Sequence, residues 1–209
     1  MVESAIIAIV AYLIGSINFS VILSRKMAGF VVREKGSGNA GTTNMLRSVG
    51  KKAAAITLVC DILKGVVAIL IAMLMNKIFK DSNGALLVQI AGVAVILGHT
   101  FPIFFKFKGG KGVATSLGVL IMSNWQIGLI CLVFALILII LTQMVSVGSI
   151  AAAILYPVLT LFIPQNYIIP GNYIIYSVIL AVIIVFNHRE NVKRLLSGTE
   201  NRISFKGTK

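Results

Sequence analysis

The feature that most constrains this chain is a succession of apolar runs, several of them as long as a membrane is thick. They lie at roughly 4–24, 53–76, 84–105, 113–141, 143–163 and 172–186. A helix crosses a hydrocarbon core with about 20 consecutive apolar residues. No water is available there to bond the backbone, so each segment must satisfy its own amides and carbonyls. The sequence therefore reads as an all-α, polytopic membrane helix bundle. Composition agrees, with 58% hydrophobic and 12% charged residues, against roughly 45–50% and 25% in soluble domains. The 209 residues suit a single membrane domain over 1–209 and leave no room for a separate soluble one.

The charge is uneven as well as large, at +13. Residues 25–52 carry Arg25, Lys26, Arg33, Lys35, Arg47, Lys51 and Lys52 against Glu34 alone. Lys106, Lys108 and Lys111 form a second cluster, and Arg189, Lys193, Arg194, Arg202, Lys206 and Lys209 a third. Because the clusters lie beside apolar spans, they suit anionic lipid or a phosphorylated substrate rather than nucleic acid. The positive-inside rule places all three on the cytoplasmic side. Met1-Val2-Glu3-Ser4 has no basic n-region, so the first run reads as an uncleaved span with its N-terminus outside.

Common sidedness imposes parity. An even number of crossings must separate Lys111 from Asn187, and the run 113–141 is interrupted by Ser123-Asn124-Trp125-Gln126. Splitting the run there gives seven transmembrane segments, with five as the alternative; both leave the C-terminus in the cytoplasm. The cost is a segment 113–122 only about 15 Å long. Cys60 and Cys131 lie in apolar stretches without metal-ligand spacing and read as packing residues. No internal repeat, metal cluster or redox cofactor site is evident. The Gly207-Thr208-Lys209 tail is expected to fray.

Three polar constellations interrupt this background. The first, Lys35 to Arg47, contains Gly36, Gly38 and Gly41 at the spacing of a dinucleotide fingerprint. That reading fails, because the fingerprint needs a preceding strand and a βαβ unit. What remains is a loop whose glycines let amides face an anion, with Ser37, Asn39, Thr43 and Asn44 as polar groups and Arg47 as a bidentate grip. A capped polar loop is the plainer reading.

The second runs from Gly98-His99 through Gly109-Gly110-Lys111-Gly112 to Thr115 and opens into an apolar helix. Gly112 follows Lys111 where a phosphate-binding P-loop needs Ser or Thr. A helix start, its dipole and Lys111 still make an anion site. Lys106 and Lys108 read as interfacial anchors and His99 as a structural histidine. The third begins where the last span ends. His188 and Asn191 share a helix face there, and His188 has a pKa range suited to proton transfer. Lys193 and Arg194 fit an amphipathic interfacial helix. Within the spans, Asp61 and Lys64 are placed to pair, and Ser146 and Ser149 either line a cavity or let helices approach closely.

Ser37-Gly38-Asn39 through Asn44 and Arg47, Gly98 through Thr115, and His188-Arg189 with Asn191, Arg194, Gly198 and Glu200 resemble the three motifs of the acyl-phosphate-dependent glycerol-3-phosphate acyltransferases. These are bacterial inner-membrane enzymes of phospholipid synthesis. Asp61 to Gly65 and Tyr12 to Ser16 also look like the family; Ala40 departs from it, where larger residues or proline are common. The resemblance implies a seven-helix bundle with its motifs on the cytoplasmic face. It implies acyl phosphate and glycerol 3-phosphate as substrates, membrane lipid as surroundings, and a partner enzyme that makes acyl phosphate. No cofactor is expected.

On this basis the leaving phosphate is assigned to Gly109, Gly110, Gly112 and Thr115 with Ser37 and Asn39. The glycerol phosphate is assigned to Arg47 and Lys111, and the attacking hydroxyl to His188 and Asn191. Thr43, Asn44, Ser149 and Glu200 complete the expected binding set. His188 is either the general base or an orienting group while a substrate phosphate takes the proton. The His-x-x-x-x-Asp dyad of thioester-using acyltransferases is absent, since Phe104 follows His99 and Lys193 follows His188 at that spacing. The competing reading is a transporter or flippase for an anionic solute or lipid.

Overall fold

A computed structural model of the protein describes residues 1–79, 83–163 and 169–203. Among them the structure is helical, with no strand. The order is α1 (Val2–Gly15), α2 (Phe19–Ala28), α3 (Thr42–Ser48), α4 (Lys51–Ile78), α5 (Gly84–Thr100), α6 (Val113–Ser123), α7 (Trp125–Thr142), α8 (Val145–Phe162), α9 (Ile174–Asn187) and α10 (Arg189–Leu196). Short 3-10 turns stand at Val32–Glu34 and Ile103–Phe105.

Five stretches are long and apolar enough to cross a bilayer: Val2–Ala28, Lys51–Ile78, Gly84–Phe105, Trp125–Thr142 and Val145–Phe162. Ile174–Asn187 joined to Arg189–Leu196 makes a sixth, bent by 60°. The chain is a multi-pass membrane protein. Its outward apolar side chains, such as Leu141 and Phe162 at 75% and 80% exposure, are the surface such a helix offers to lipid.

The run 113–141 breaks at Asn124, whose backbone turns extended between α6 and α7. The first run, read as continuous over 4–24, is instead two helices parted at Ser16-Ile17-Asn18. Asn18 caps α2 by accepting from Val21 N at 3.1 Å. The carbonyls exposed where α1 ends need donors. Lys64 of α4 supplies them: its Nζ lies 3.1 Å from both Gly15 O and Ile17 O. A cation inside an apolar helix is thus explained by a broken helix beside it. The 207–209 tail lies outside the described residues.

The helices form two compact units. In the first, built on Met1–Trp125, α1 packs on α5, and α4 packs on α5 and α6. The α4–α6 contact is backbone to backbone: a Cβ on Gly65 would collide with Thr115 O, and one on Gly118 with Ile62 O. The position of α4 therefore fixes the start of α6. In the second unit, α8 packs on α9, which continues into α10.

Candidate functional site

In the first unit, the polar loop after α2 is fastened from below and from within. Val32, Ala40 and Met45 are fully buried and cluster with Val21 of α2 and Ala53 and Ala54 of α4. Above them Asn44 acts as a peg. Its Nδ2 lies 2.9 Å from Val32 O and 3.0 Å from both Lys35 O and Asn39 O. Its Oδ1 accepts from Ser37 N at 2.9 Å. Gly36 and Gly38 take left-handed φ values of 61° and 71°, which lets 35–39 wrap around that side chain. The wrapping leaves Ser37 and Arg47 exposed and Asn39 and Thr43 half-buried. Asn44, expected to bind substrate, is 2% exposed and directs these hydrogen bonds to its own loop.

The glycine loop comes to the same place. Arg33 Nη1 donates to Phe105 O at 3.0 Å and also to Lys108 O, tying the two loops together. Gly109 N donates to Thr100 O at 3.0 Å and Gly110 N to His99 O at 3.1 Å, so the end of α5 holds the loop. Both glycines are required sterically. A Cβ on Gly109 would strike His99 O, and one on Gly110 would strike His99 Nε2 and lie 2.7 Å from Ala40 O.

These bonds change how the loop can meet an anion. The amides of Gly109 and Gly110 are committed to α5, so the donors of a helix start are those of Val113, Ala114 and Thr115. Gly112, at φ 86°, swings the chain into α6 and leaves Lys111 half-buried at its head. Thr115 is fully buried, and its Oγ1 has no hydrogen-bond partner among the described residues.

In the second unit, His188 stands at the bend between α9 and α10, 3% exposed. Its Nδ1 lies 2.8 Å from Ile184 O, so in the neutral ring the proton sits on Nδ1 and the lone pair on Nε2. Asn191, in the first turn of α10, donates from Nδ2 to Glu200 Oε1 at 2.7 Å. Ser146 Oγ donates to the same oxygen at 2.9 Å, and Arg194 Nε donates to Oε2 at 2.9 Å. Burial pushes the Glu200 carboxyl up, but the bonds from Asn191 and Ser146 and the Arg194 guanidinium outweigh it and hold the group below the usual carboxylate range. Glu200, expected to bind substrate, thus holds Asn191 and Ser146 through Oε1 and Arg194 through Oε2. Ser149 Oγ bonds back to Val145 O at 2.9 Å within α8.

The structure therefore places Ser37, Asn39, Gly109, Gly110, Lys111, Gly112 and Thr115 in the first unit, together with Thr43, Asn44 and Arg47 of α3. His188, Asn191, Ser149 and Glu200 stand in the second. Arg33 as a tie between loops and Ser146 as a support of Glu200 escaped the sequence reading. An arginine in a basic stretch and a serine in a span carry no signal of their partners.

The family model described as glycerol-3-phosphate acyltransferase matches residues 5–198. A glycerol-3-phosphate acyltransferase of Thermoanaerobacter pseudethanolicus is 44% identical over 199 residues, covering 95% of each chain. One of Clostridioides difficile is 40% identical over 201 residues, covering 96% of each. The crystal structure of PlsY (YgiH), an integral membrane glycerol 3-phosphate acyltransferase, in its glycerol 3-phosphate form is similar at TM-score 0.84 and 36% identity, over 96% of each chain. Its lysophosphatidic acid form is similar at TM-score 0.82 and 35% identity, over 96% of this chain and 95% of that one.

Proposed function

The chain belongs to the glycerol-3-phosphate acyltransferase family, and from that premise we propose that it carries a fatty acyl group from acyl phosphate to the 1-hydroxyl of glycerol 3-phosphate. It acylates glycerol 3-phosphate to lysophosphatidic acid, an enzymatic step of phospholipid synthesis. The observation that carries this is the full-length likeness to an enzyme crystallised with that substrate and that product. Acyl phosphate as donor, inorganic phosphate as second product, and a partner enzyme supplying the donor are our extension. The missing His-x-x-x-x-Asp dyad supports it, because an acyl phosphate is already activated and a thioester is less so.

The chemistry asks for positioning and charge stabilisation more than for covalent catalysis. The hydroxyl oxygen bonds to the acyl carbon, the acyl–phosphate C–O bond breaks, and the hydroxyl proton leaves. We assign the leaving phosphate to the head of α6, with Gly109, Gly110, Gly112 and Thr115 shaping it and Ser37 and Asn39 assisting. Arg47 and Lys111 hold the glycerol phosphate, with Thr43 beside them and Asn44 keeping the loop in shape. His188 and Asn191 act on the attacking hydroxyl, supported by Glu200 and Ser149. The Nε2 lone pair of His188 suits it to accept the proton or to orient the hydroxyl while a substrate phosphate accepts.

We place the protein in the bacterial inner membrane as a single acyltransferase domain. It has seven crossings, the N-terminus outside, and the C-terminus and active site cytoplasmic. The three basic clusters support that sidedness.

Sealed proteoliposomes given labelled glycerol 3-phosphate and palmitoyl phosphate test the reading. Labelled lysophosphatidic acid in the membrane is expected. Unconverted label accumulating in the lumen would favour a transporter instead. In the same assay, a His188→Ala variant with near-normal turnover would remove the base role.

A further inference from the structure

A buried charge cluster in the first unit takes no part in the roles assigned above. Asp61 and Lys64 stand one turn apart on α4, and His99 stands at the end of α5. All three are at most 5% exposed. Asp61 Oδ1 lies 2.9 Å from Lys64 Nζ and 3.5 Å from His99 Nδ1. The second contact is too long to count as a hydrogen bond, and leaves the carboxylate oxygen facing Nδ1 of the ring. Lys64 is fully engaged, since its remaining donors reach Gly15 O and Ile17 O. The cluster's other end is not spent on the helices. His99 turns its Nδ1 to the carboxylate and its Nε2 to Gly110, the residue before Lys111.

A carboxylate facing one ring nitrogen favours the hydrogen there and leaves the lone pair on the other. The Asp61 carboxylate thus favours the hydrogen on Nδ1 of His99, and the Nε2 edge of the ring is the surface against which Gly110 rests. The same residue grips the loop through its main chain, where His99 O accepts from Gly110 N. Ala40 O of the first loop closes on Gly110 from another side. His99 therefore stands where both loops meet, one residue from the lysine that heads α6.

We propose that His99, oriented by Asp61, is a positioning residue that sets Lys111 for binding the phosphate of glycerol 3-phosphate. It does not touch the substrate. It acts through Gly110, and its Nε2 edge is the part that matters. The proposal rests on the assignment of Lys111 to the glycerol phosphate.

The test uses the full chain in detergent or lipid, with steady-state kinetics in glycerol 3-phosphate at saturating palmitoyl phosphate and thermal unfolding alongside. His99→Gln places an amide where Nε2 stands, and His99→Asn places one where Nδ1 stands. Lys111→Met is the third variant. A misplaced binding group costs roughly 10- to 100-fold. His99→Asn should raise KM for glycerol 3-phosphate by that factor with kcat largely kept, while His99→Gln stays near the parent. A residue that merely holds the fold would lower the active fraction, and so kcat, in both variants and leave KM alone. Equal KM values for folded His99→Asn and His99→Gln overturn the proposal when Lys111→Met raises KM. An unchanged KM in Lys111→Met overturns the Lys111 assignment itself, and the proposal with it.

Discussion

Asp61 and Lys64 carry opposite charges inside a membrane-spanning helix, 3% exposed each at the side chain. Breaking such a pair costs about 3–5 kcal/mol, because the remaining charge is left uncompensated. Asp61→Ala should therefore lower thermal stability sharply, and Asp61→Asn combined with Lys64→Met should lower it less than Asp61→Ala does. A double variant no better than the single would show that the carbonyl contacts at the α1–α2 break matter more than the charge pair. Glu200 makes a different prediction. Its carboxyl is held below its ordinary value of 4.5 in the folded chain. The unfolded chain thus binds the proton more readily, so stability from this group is fully present above about pH 4.5 and is lost as pH falls through the lower folded value. The unfolding temperature measured across that acid range should fall, and Glu200→Gln should flatten the part of the fall that comes from this group.

At the scale of elements, α6 decides the topology. Its 11 residues span about 16 Å, half of a hydrocarbon core. If α6 counts as a crossing, Lys108 and Ser197 face the same side; if it does not, α7, α8 and α9 put them on opposite sides. With Cys60 and Cys131 replaced by alanine, cysteines at Lys108 and Ser197 should both react with an impermeant thiol reagent only after cells are permeabilised. Labelling of one of them in intact cells would reduce the crossings. The α6–α7 break was legible because four polar or interfacial residues interrupt an apolar run. The α1–α2 break was not, since a serine and an asparagine are ordinary in a span, and only the fold shows Lys64 reaching the freed carbonyls. The site was legible in residue type: glycines, lysines and a histidine in polar stretches beside spans. Its bonding was not. Spacing alone does not show that Asn44 turns inward on its own loop or that α5 takes the amides of Gly109 and Gly110.

At the scale of the whole molecule, lipid-facing helices carry polar loops built from backbone, glycine and cation. Each unit supplies a different kind of group. The first offers a helix start headed by Lys111 beside a pegged polar loop, suited to holding phosphate. The second offers a histidine with a defined tautomer and an asparagine fixed by a carboxylate, suited to handling a hydroxyl. The most direct measurement is phosphate release by the purified protein given palmitoyl phosphate with and without glycerol 3-phosphate, with acyl-CoA as a parallel donor and the lipid product identified by mass. The account predicts release that depends on glycerol 3-phosphate, matched by lysophosphatidic acid, with acyl-CoA inert. Folded protein that turns over neither donor, or that uses acyl-CoA equally well, would contradict it.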